Sequence, residues 1–328
     1  MLDRFEDLRT FVTVAQVGGF AAAADRLGIV KSAVSRRIRE LEERLEVRLV
    51  HRTTRQISLT DAGRAYFERA AEILASLEAL DDAARSDSHK PAGKLRISAP
   101  VSFSTHCLAQ AIVRFQRRHP AIRIEVETSD RFVDIVQDGF DLAVRIAQLK
   151  DSALIARRIV TIRHAACASP SYLDERGRPE TPADLSGHDG IIYSLRDEGA
   201  YWTFADDLVA KPNTMLRFDN ADAIREAAIA GAGIAHLPTF VIADAVARGE
   251  LEVILAGHQR KPIAMHTVFP ATQHVPTRVR AFIDFLIEEF GDNPAWDRVL
   301  EASRQGERPV LPSAPEIAID DAKRGAGD

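Results

Sequence analysis

The stretch KSAVSRRIRELEERL, Lys31 to Leu45, constrains the chain most, because two opposed patterns run through it. At roughly 100° per residue, Val34, Ile38, Leu41 and Leu45 share one side of a helix. Ser32, Ser35, Arg36 and Arg39 share the other. Glu43 falls on that polar side two turns later, within i,i+4 reach of Arg39, and would repel a phosphate backbone. Only the N-terminal half of the face therefore suits an anionic partner. Taken alone, the helix fits any amphipathic surface element.

Its neighbours narrow the choice. In DLRTFVTVAQVGG, Leu8, Phe11, Val12, Ala15 and, loosely, Val17 form a helical face that Gly18 and Gly19 end. FAAAADRLG reads as a short, Ala-rich second helix stopped at Gly28, and Ile29 to Lys31 lead into the third. Helix, glycine turn and a helix with a polar first turn make up a helix-turn-helix plan. In RTTRQISLTDAG, Arg52 and Arg55 bracket two threonines, and strand-like alternation precedes Thr60. That predicts a wing, a small hairpin able to reach a phosphate or a minor groove.

From Thr60, TDAGRAYFERAAEILASLEALDDAARSDS opens with a good N-cap and an acidic first turn. Tyr66, Ala70, Ile73, Leu77, Leu80 and Ala84 repeat at four-three-four-three-four, a seam of just under three heptads. Such a seam serves either a partner helix or the helix's own domain. RSDSHKPAGK, residues 85–94, reads as a flexible hinge.

Beyond it strands and helices alternate: LRISAP, THCLAQAIVRFQRRHP, IRIEVE, the helix RFVDIVQDG and DLAVRI. A second series from about Ala165 contains GIIYS, TMLRF, the helix ADAIREAAIAG, GIAHLP and LEVIL. IAMHTVFP and TRVRAFIDFLIEEF are expected to return to the first series. The pattern predicts parallel α/β layers. Residues 295–328, rich in Pro, Gly, Ala and charge, read as a mostly disordered tail.

The 328 residues carry a net charge of −5, unevenly spread. Residues 1–64 hold 12 Arg and Lys against 9 Asp and Glu, so a module of +3 sits on a body of −8. That is compatible with nucleic-acid binding through one end. A nucleoid-type protein would rely on many more cations. No apolar run approaches the ~20 residues of a membrane span, and the acidic start MLDRFEDLRTF is unlike a signal peptide, so the cytoplasm is the expected location. Cys107 and Cys167 lie far apart without a partner pattern, and the ten histidines show no metal-ligand spacing. GxSxG, Walker A, HExxH and a full GxGxxG are all missing, and His188-Asp189 sits in a turn-rich loop. Catalysis, a metal and a cofactor are not expected.

The run GGFAAAADRLGIVKSAVSRRIRELEERLEVRLVHRTTRQISLTDAGRAYF resembles the DNA-binding domain of the LysR-type transcriptional regulators. The phrases AAAxxLxI, AVSRxIxxLE and RTTR…LTxAG carry the match nearly without gaps over about fifty residues. Three positions depart from the family. Val30 replaces the usual Ser or Thr before the third helix, and a lost cap costs ~1 kcal/mol, which makes Ser32 an alternative start. Gly19 stands for a capping Ser, and Glu46 for the usual Gly after the third helix, which predicts a tighter turn or a longer helix.

The resemblance implies that Lys31, Ser32, Ser35 and Arg36 face the major groove while Arg52 and Arg55 hold the backbone or enter the minor groove. Arg36 would contact either a guanine or a phosphate, and Arg37 and Arg44 lie off the groove face as solvated groups. It favours an antiparallel dimer through the 61–88 helix and a dimer of dimers on an interrupted inverted repeat. The body resembles the family's two-lobed effector domain, of the periplasmic-binding-protein type, with phrases such as DGFDLAVRI and GAGIAHLP. The implied organisation is a winged helix-turn-helix at 1–60, linker helix 61–88, hinge 89–94, effector domain 95–292 with a second lobe at about 165–267, and tail 293–328. Implied partners are double-stranded DNA, a second copy of the chain and a small-molecule effector, with RNA polymerase a further candidate.

In such a body the small molecule would sit between the lobes. Ser102 and Ser104 follow the first strand at a helix N-terminus suited to an anion. Ser129, Arg145, Asn220 and His236 lie where strands end or lobes cross. Arg145 either holds a carboxylate or pairs with Asp141 or Asp151, and His236 is either a ligand group or a structural histidine. Phe103, Trp202 and Phe218 either line the cleft or fill the core.

Overall fold

The computed structural model describes residues 4–52, 57–84, 91–147, 154–195, 201–271, 275–291 and 293–304. The chain divides into two compact units, Met1–Val160 with Ala264–Glu289, and Thr161–Ile263 with Phe290–Asp328.

The first unit opens with helices α1 (Arg4–Val17), α2 (Phe20–Leu27) and α3 (Lys31–Leu45). Strands β1 (Val50–Arg52) and β2 (Ile57–Leu59) pair antiparallel as the wing, and α4 (Asp61–Ala84) follows. Phe11, Val14, Ala23, Val34, Ile38, Leu41 and Leu49 close one core. Full burial of each large apolar chain stabilises by about 1.5–3 kcal/mol, enough to fix a short three-helix module.

Helix α4 uses its expected seam differently along its length. Tyr66 and Ala70 pack into the module's own core beside Phe67 and Leu74, and Tyr66 meets Phe11 edge to face at 5.4 Å. Ile73, in contrast, is exposed. The first two seam positions are therefore intradomain contacts and are not available to a partner helix.

The same unit continues with β3 (Gly93–Ala99), α5 (Val101–Phe103), a π-helical turn at Ser104–Leu108, α6 (Ala109–Arg118), β4 (Ile122–Thr128), β5 (Leu142–Ile146) and β6 (Leu154–Ile162). With β14 at Ile263–Pro270, the sheet order is β4-β3-β5-β14-β6. Strand β3 runs parallel to β4 and β5, while β14 returns antiparallel to β5. Helix α10 (Thr277–Phe290) closes the layer through Phe282 and Phe285, whose rings lie 5.0 and 5.3 Å from Phe115. The segment RFVDIVQDG forms turns instead of the expected helix. Asp134 accepts the N–H groups of Val136 and Gln137 and so competes with helical pairing, and Gly139 is left-handed.

The second unit contains β7 (His164–Ala168), α7 (Pro170–Arg176), β8 (Asp189–Tyr193), the hairpin β9 (Trp202–Thr203) and β10 (Val209–Ala210), and β11 (Asn213–Phe218). Then come α8 (Ala221–Ile229), β12 (Ile234–Pro238), α9 (Thr239–Ala247) and β13 (Glu252–Ile254). Its sheet has the order β11-β8-β12-β7-β13, with β8 parallel to β11 and β12 and antiparallel pairings at β7. Both lobes are thus α/β layers, but each sheet is mixed and not wholly parallel.

The predicted tail is corrected at its start. Ala295–Arg304 is a helix, α11, whose Val299 and Leu300 are buried with Ala243 of α9. Trp296, Val299 and Leu300 are spaced as one helical face, and Asp297 in the first turn pairs with Arg163. Residues 305–328 lie outside the described residues. Among the described residues, no helix is long and apolar enough to cross a membrane.

Candidate functional site

Helix α3 begins at Lys31 even though Val30 has no side chain able to cap it. The Val30 carbonyl accepts the N–H groups of Ala33 and Val34 at 2.9 and 3.3 Å. The alternative start at Ser32 is thereby excluded. Lys31, Ser32 and Arg36 are exposed and Ser35 is half-buried. The Arg36 side chain is 67% exposed and, among the described residues, has only a loose contact of 3.9 Å with Glu40. Its guanidinium is therefore available to an external acceptor. Arg39 and Glu43 form no ion pair with each other among the described residues, although their spacing permits one.

The helix is clamped to the module at three points. Arg37 pairs with Glu6 at 2.9 Å and also donates to Thr10, while Arg44 pairs with Asp7 at 2.8 Å. Both arginines are thus braces to α1; Arg37 is half-buried and not the solvated group expected from the sequence, whereas Arg44 is exposed as expected but still ion-paired. Glu42, itself buried, accepts the backbone N–H groups of Leu49 at 2.8 Å and Val50 at 3.1 Å. A carboxylate on the core stripe, four residues after Ile38, was the readable signal for this role. It fixes the start of the wing to the same helix whose other face is exposed.

At the end of α3, Glu46 takes up the left-handed conformation itself, with φ 54°, and its N–H returns to Glu42 and Glu43. The helix is neither extended nor tightened relative to a glycine-capped end. The far side of the wing is held by Thr60, whose hydroxyl donates to the Arg48 carbonyl at 2.7 Å and accepts from Gly63 N–H at 2.9 Å. A Cβ on Gly63 would lie 2.0 Å from the Leu49 carbonyl oxygen, so this close crossing requires glycine. Of the two predicted wing arginines, Arg52 is described only in its backbone at the end of β1, and Arg55 lies outside the described residues.

A second constellation forms at the carboxyl ends of β3, β4 and β5 in the first unit. Arg145 is only 8% exposed and donates to Ser98 Oγ at 3.2 Å and to the Val144 carbonyl at 3.0 Å. Burial pulls the guanidinium below its ordinary range, and nearby Asp130 opposes that shift. Asp141, offered from the sequence as its partner, instead pairs with Arg278 at 3.0 Å, and Asp151 lies outside the described residues. The Phe132 ring, 81% exposed, stands 5.9 Å from the Arg145 guanidinium.

Ser102 and Ser104 are buried in the same neighbourhood. The Ser104 hydroxyl has no hydrogen-bond partner among the described residues, where a buried hydroxyl ordinarily has one. It also begins the π-helical turn, an irregularity common at functional sites. Asp130 already accepts the first N–H of this helix, from Val101 at 3.0 Å, so the N-terminus is partly occupied. Ser129 accepts from the N–H of Arg131. Phe103 is fully buried and presents no surface. Asp130, Phe132 and Ser98 were not foreseen, because only the fold brings these strand ends together.

The remaining candidates lie in the second unit. Asn220 caps α8 by accepting from Ala223 N–H at 3.0 Å, and Phe218 ends β11 half-buried. His236 is buried, with the rings of Trp202, Phe204 and His164 at 5.9, 5.3 and 5.8 Å. That arrangement is a packed core histidine. Trp202 is likewise core. Among the described residues no cluster of His, Cys, Asp and Glu could hold a metal ion. Burial pushes the thiols of Cys107 and Cys167 up to about 12.

Both constellations lie in stretches of the chain that match family models. The family model for the bacterial regulatory helix-turn-helix protein, lysR family, matches residues 5–64, and that for the LysR substrate binding domain matches residues 88–291. An HTH-type transcriptional repressor of Pseudomonas aeruginosa is 34% identical over 89% of this chain and 94% of its own length. The regulator CrgA of Neisseria meningitidis serogroup C is 34% identical over 88% of this chain and 97% of its own. The solved CrgA structure superposes with a TM-score of 0.58 at 33% identity, covering 88% of this chain and 99% of that one. The HTH-type transcriptional activator AaeR of Escherichia coli is 30% identical over 88% of this chain and 94% of its own.

Proposed function

The chain belongs to the LysR family of DNA-binding transcriptional regulators, with a helix-turn-helix domain and a substrate-binding domain, and from that premise we propose that it binds a specific operator through α3 and the wing. The observation that carries this reading is a division of labour on one helix. Arg37, Glu42 and Arg44 brace α3 from behind, while Lys31, Ser32 and Arg36 stand exposed at its N-terminal end. A helix held in this way presents its first turns to a major groove with little conformational cost on binding. Ser35 would approach from the rim of the same face, and Arg52 and Arg55 would contact the backbone beside it.

The domain plan is a winged module at 1–60, a dimerising helix at 61–88, a hinge that ends before β3 at Gly93 and not at residue 94, and an effector domain from there to 292. Two copies would pair through the solvent-facing part of α4, beginning at Ile73, and two such dimers would occupy an interrupted inverted repeat. RNA polymerase is a candidate further partner, and the cytoplasm is the place of action. The relatives named above include a repressor and an activator, so family membership leaves the sign of the output open.

The effector would be a small carboxylate bound between the lobes. Ser102, Ser104 and Arg145 supply hydroxyls and a buried cation at one end of the first lobe's strands, with Ser129 beside them. The Ser104 hydroxyl, without a partner among the described residues, supports this assignment best. Asn220 and Phe218 are the second-lobe candidates, whereas Phe103 and His236 are core residues and are set aside. The ligand acts only through unequal affinity for two arrangements of the DNA-bound assembly.

The test is a selection of bound duplexes from a random pool, repeated with a panel of aliphatic and aromatic carboxylates. Enrichment of an inverted repeat, and a carboxylate that shifts its affinity in wild-type protein but not in Ser104→Ala, would support the reading. Enrichment without any carboxylate effect would leave a regulator without this effector class. No enrichment at all would overturn operator binding.

A further inference from the structure

Val30 is the most exposed large apolar residue of residues 4–84 for which exposure is described, at 68%. It belongs to no core cluster and occupies the N-cap position of α3 in extended backbone, φ −74° and ψ 143°. Its side chain makes no capping bond, although Ser, Thr, Asp or Asn there would favour the helix. The fold therefore gains nothing from valine at this position. What valine does provide is a branched apolar surface immediately before Lys31 and Ser32, on a first turn without acidic residues.

The face that borders Val30 is the one assigned above to the major groove, and this inference rests on that assignment. The major groove is almost wholly polar, and its one apolar landmark is the 5-methyl group of thymine. A hydroxyl at position 30 would be satisfied by the helix's own N–H groups, as in an ordinary cap. An isopropyl group has no such partner and remains free to pack on a methyl. We propose that Val30 is a specificity-determining residue that reads a thymine through its 5-methyl group, next to the bases approached by Ser32, Ser35 and Arg36. The missing cap and the base preference have one cause, the choice of a β-branched apolar residue where a capping residue would stabilise the helix.

The experiment uses the full-length protein and the duplex it enriches from a random pool. Each thymine of the two half-sites is replaced in turn by deoxyuridine, which removes only the methyl group. Wild-type protein is expected to lose affinity at one symmetric thymine position, by about fourfold per half-site for one buried methyl. Val30→Ser should bind both duplexes equally at that position, while its thermal stability is unchanged or raised by the restored cap. Val30→Ile, which keeps the apolar surface, should retain the discrimination. Arg36→Lys should retain it too, because its change lies elsewhere on the face. If Val30→Ser keeps the same thymine preference as wild type at every position, or wild type shows none, the inference is overturned while operator binding stands. If wild-type protein enriches no duplex, operator binding and this inference fail together.

Discussion

Arg44 of α3 donates to the Asp7 carboxylate of α1 at 2.8 Å, and Asp7 is 1% exposed. The pair ties the C-terminal end of the exposed helix to the first helix of the module. With Arg44 half in solvent, the cost of losing the pair is moderated by screening. Asp7→Asn and Arg44→Ala should each lower stability by about 1–2 kcal/mol, and the double variant should cost less than their sum. Urea unfolding of the four proteins measures the coupling. Strict additivity would mean that the two side chains do not act as a pair.

Glu42 holds the wing through two backbone N–H groups, so the role needs an acceptor oxygen and not a charge. Glu42→Gln keeps that oxygen and should be nearly neutral. Glu42→Ala leaves two buried donors unpaired and should cost roughly 2–4 kcal/mol. Circular dichroism melts give the stability, and affinity for DNA at fixed salt shows whether the wing follows.

Glu46 adopts a left-handed conformation that costs an L side chain roughly 1–2 kcal/mol. Glycine avoids most of that strain but loses more entropy on folding. Glu46→Gly is therefore expected to stabilise the protein by about 0.5–1 kcal/mol, visible as a higher melting temperature. A lower melting temperature would indicate that the Glu46 side chain makes a compensating contact.

The two thiols lie near 12 because burial disfavours their thiolates. At pH 8 both should resist alkylation by iodoacetamide in the native protein and react fully after unfolding. Rapid modification of native Cys167, which is fully buried, would contradict this, and half-buried Cys107 should be the faster of the two.

The DNA-binding module was legible because its signals are local. Helical periodicity, the glycine stop at Gly28 and the strand alternation after Arg55 each act within a few residues. Glu42 and Asp7 also stood on apolar stripes, four residues from Ile38 and from Phe11, where a carboxylate implies a buried partner. The site at Arg145 was only partly legible. Its residue types were apparent, but Ser98, Asp130 and Phe132 join it through sheet pairings between segments far apart in sequence. The misplaced helix at 131–139 has a related origin. Its apolar spacing suits a helix, whereas Asp134 and Gly139 favour turns that only the folded backbone reveals. At α11, periodicity over ten residues was outweighed by the composition of the segment that follows.

The most direct test of the account is a footprint of wild-type protein and Arg36→Ala on the selected operator, titrated in salt. Wild-type protein should protect half-sites a whole number of helical turns apart, and Arg36→Ala should lose about 1–3 kcal/mol of binding to that site while its non-specific binding barely changes. Equal loss on every DNA would make Arg36 a phosphate contact. Unchanged protection by the variant would contradict the account that α3 reads the operator through its exposed N-terminal face.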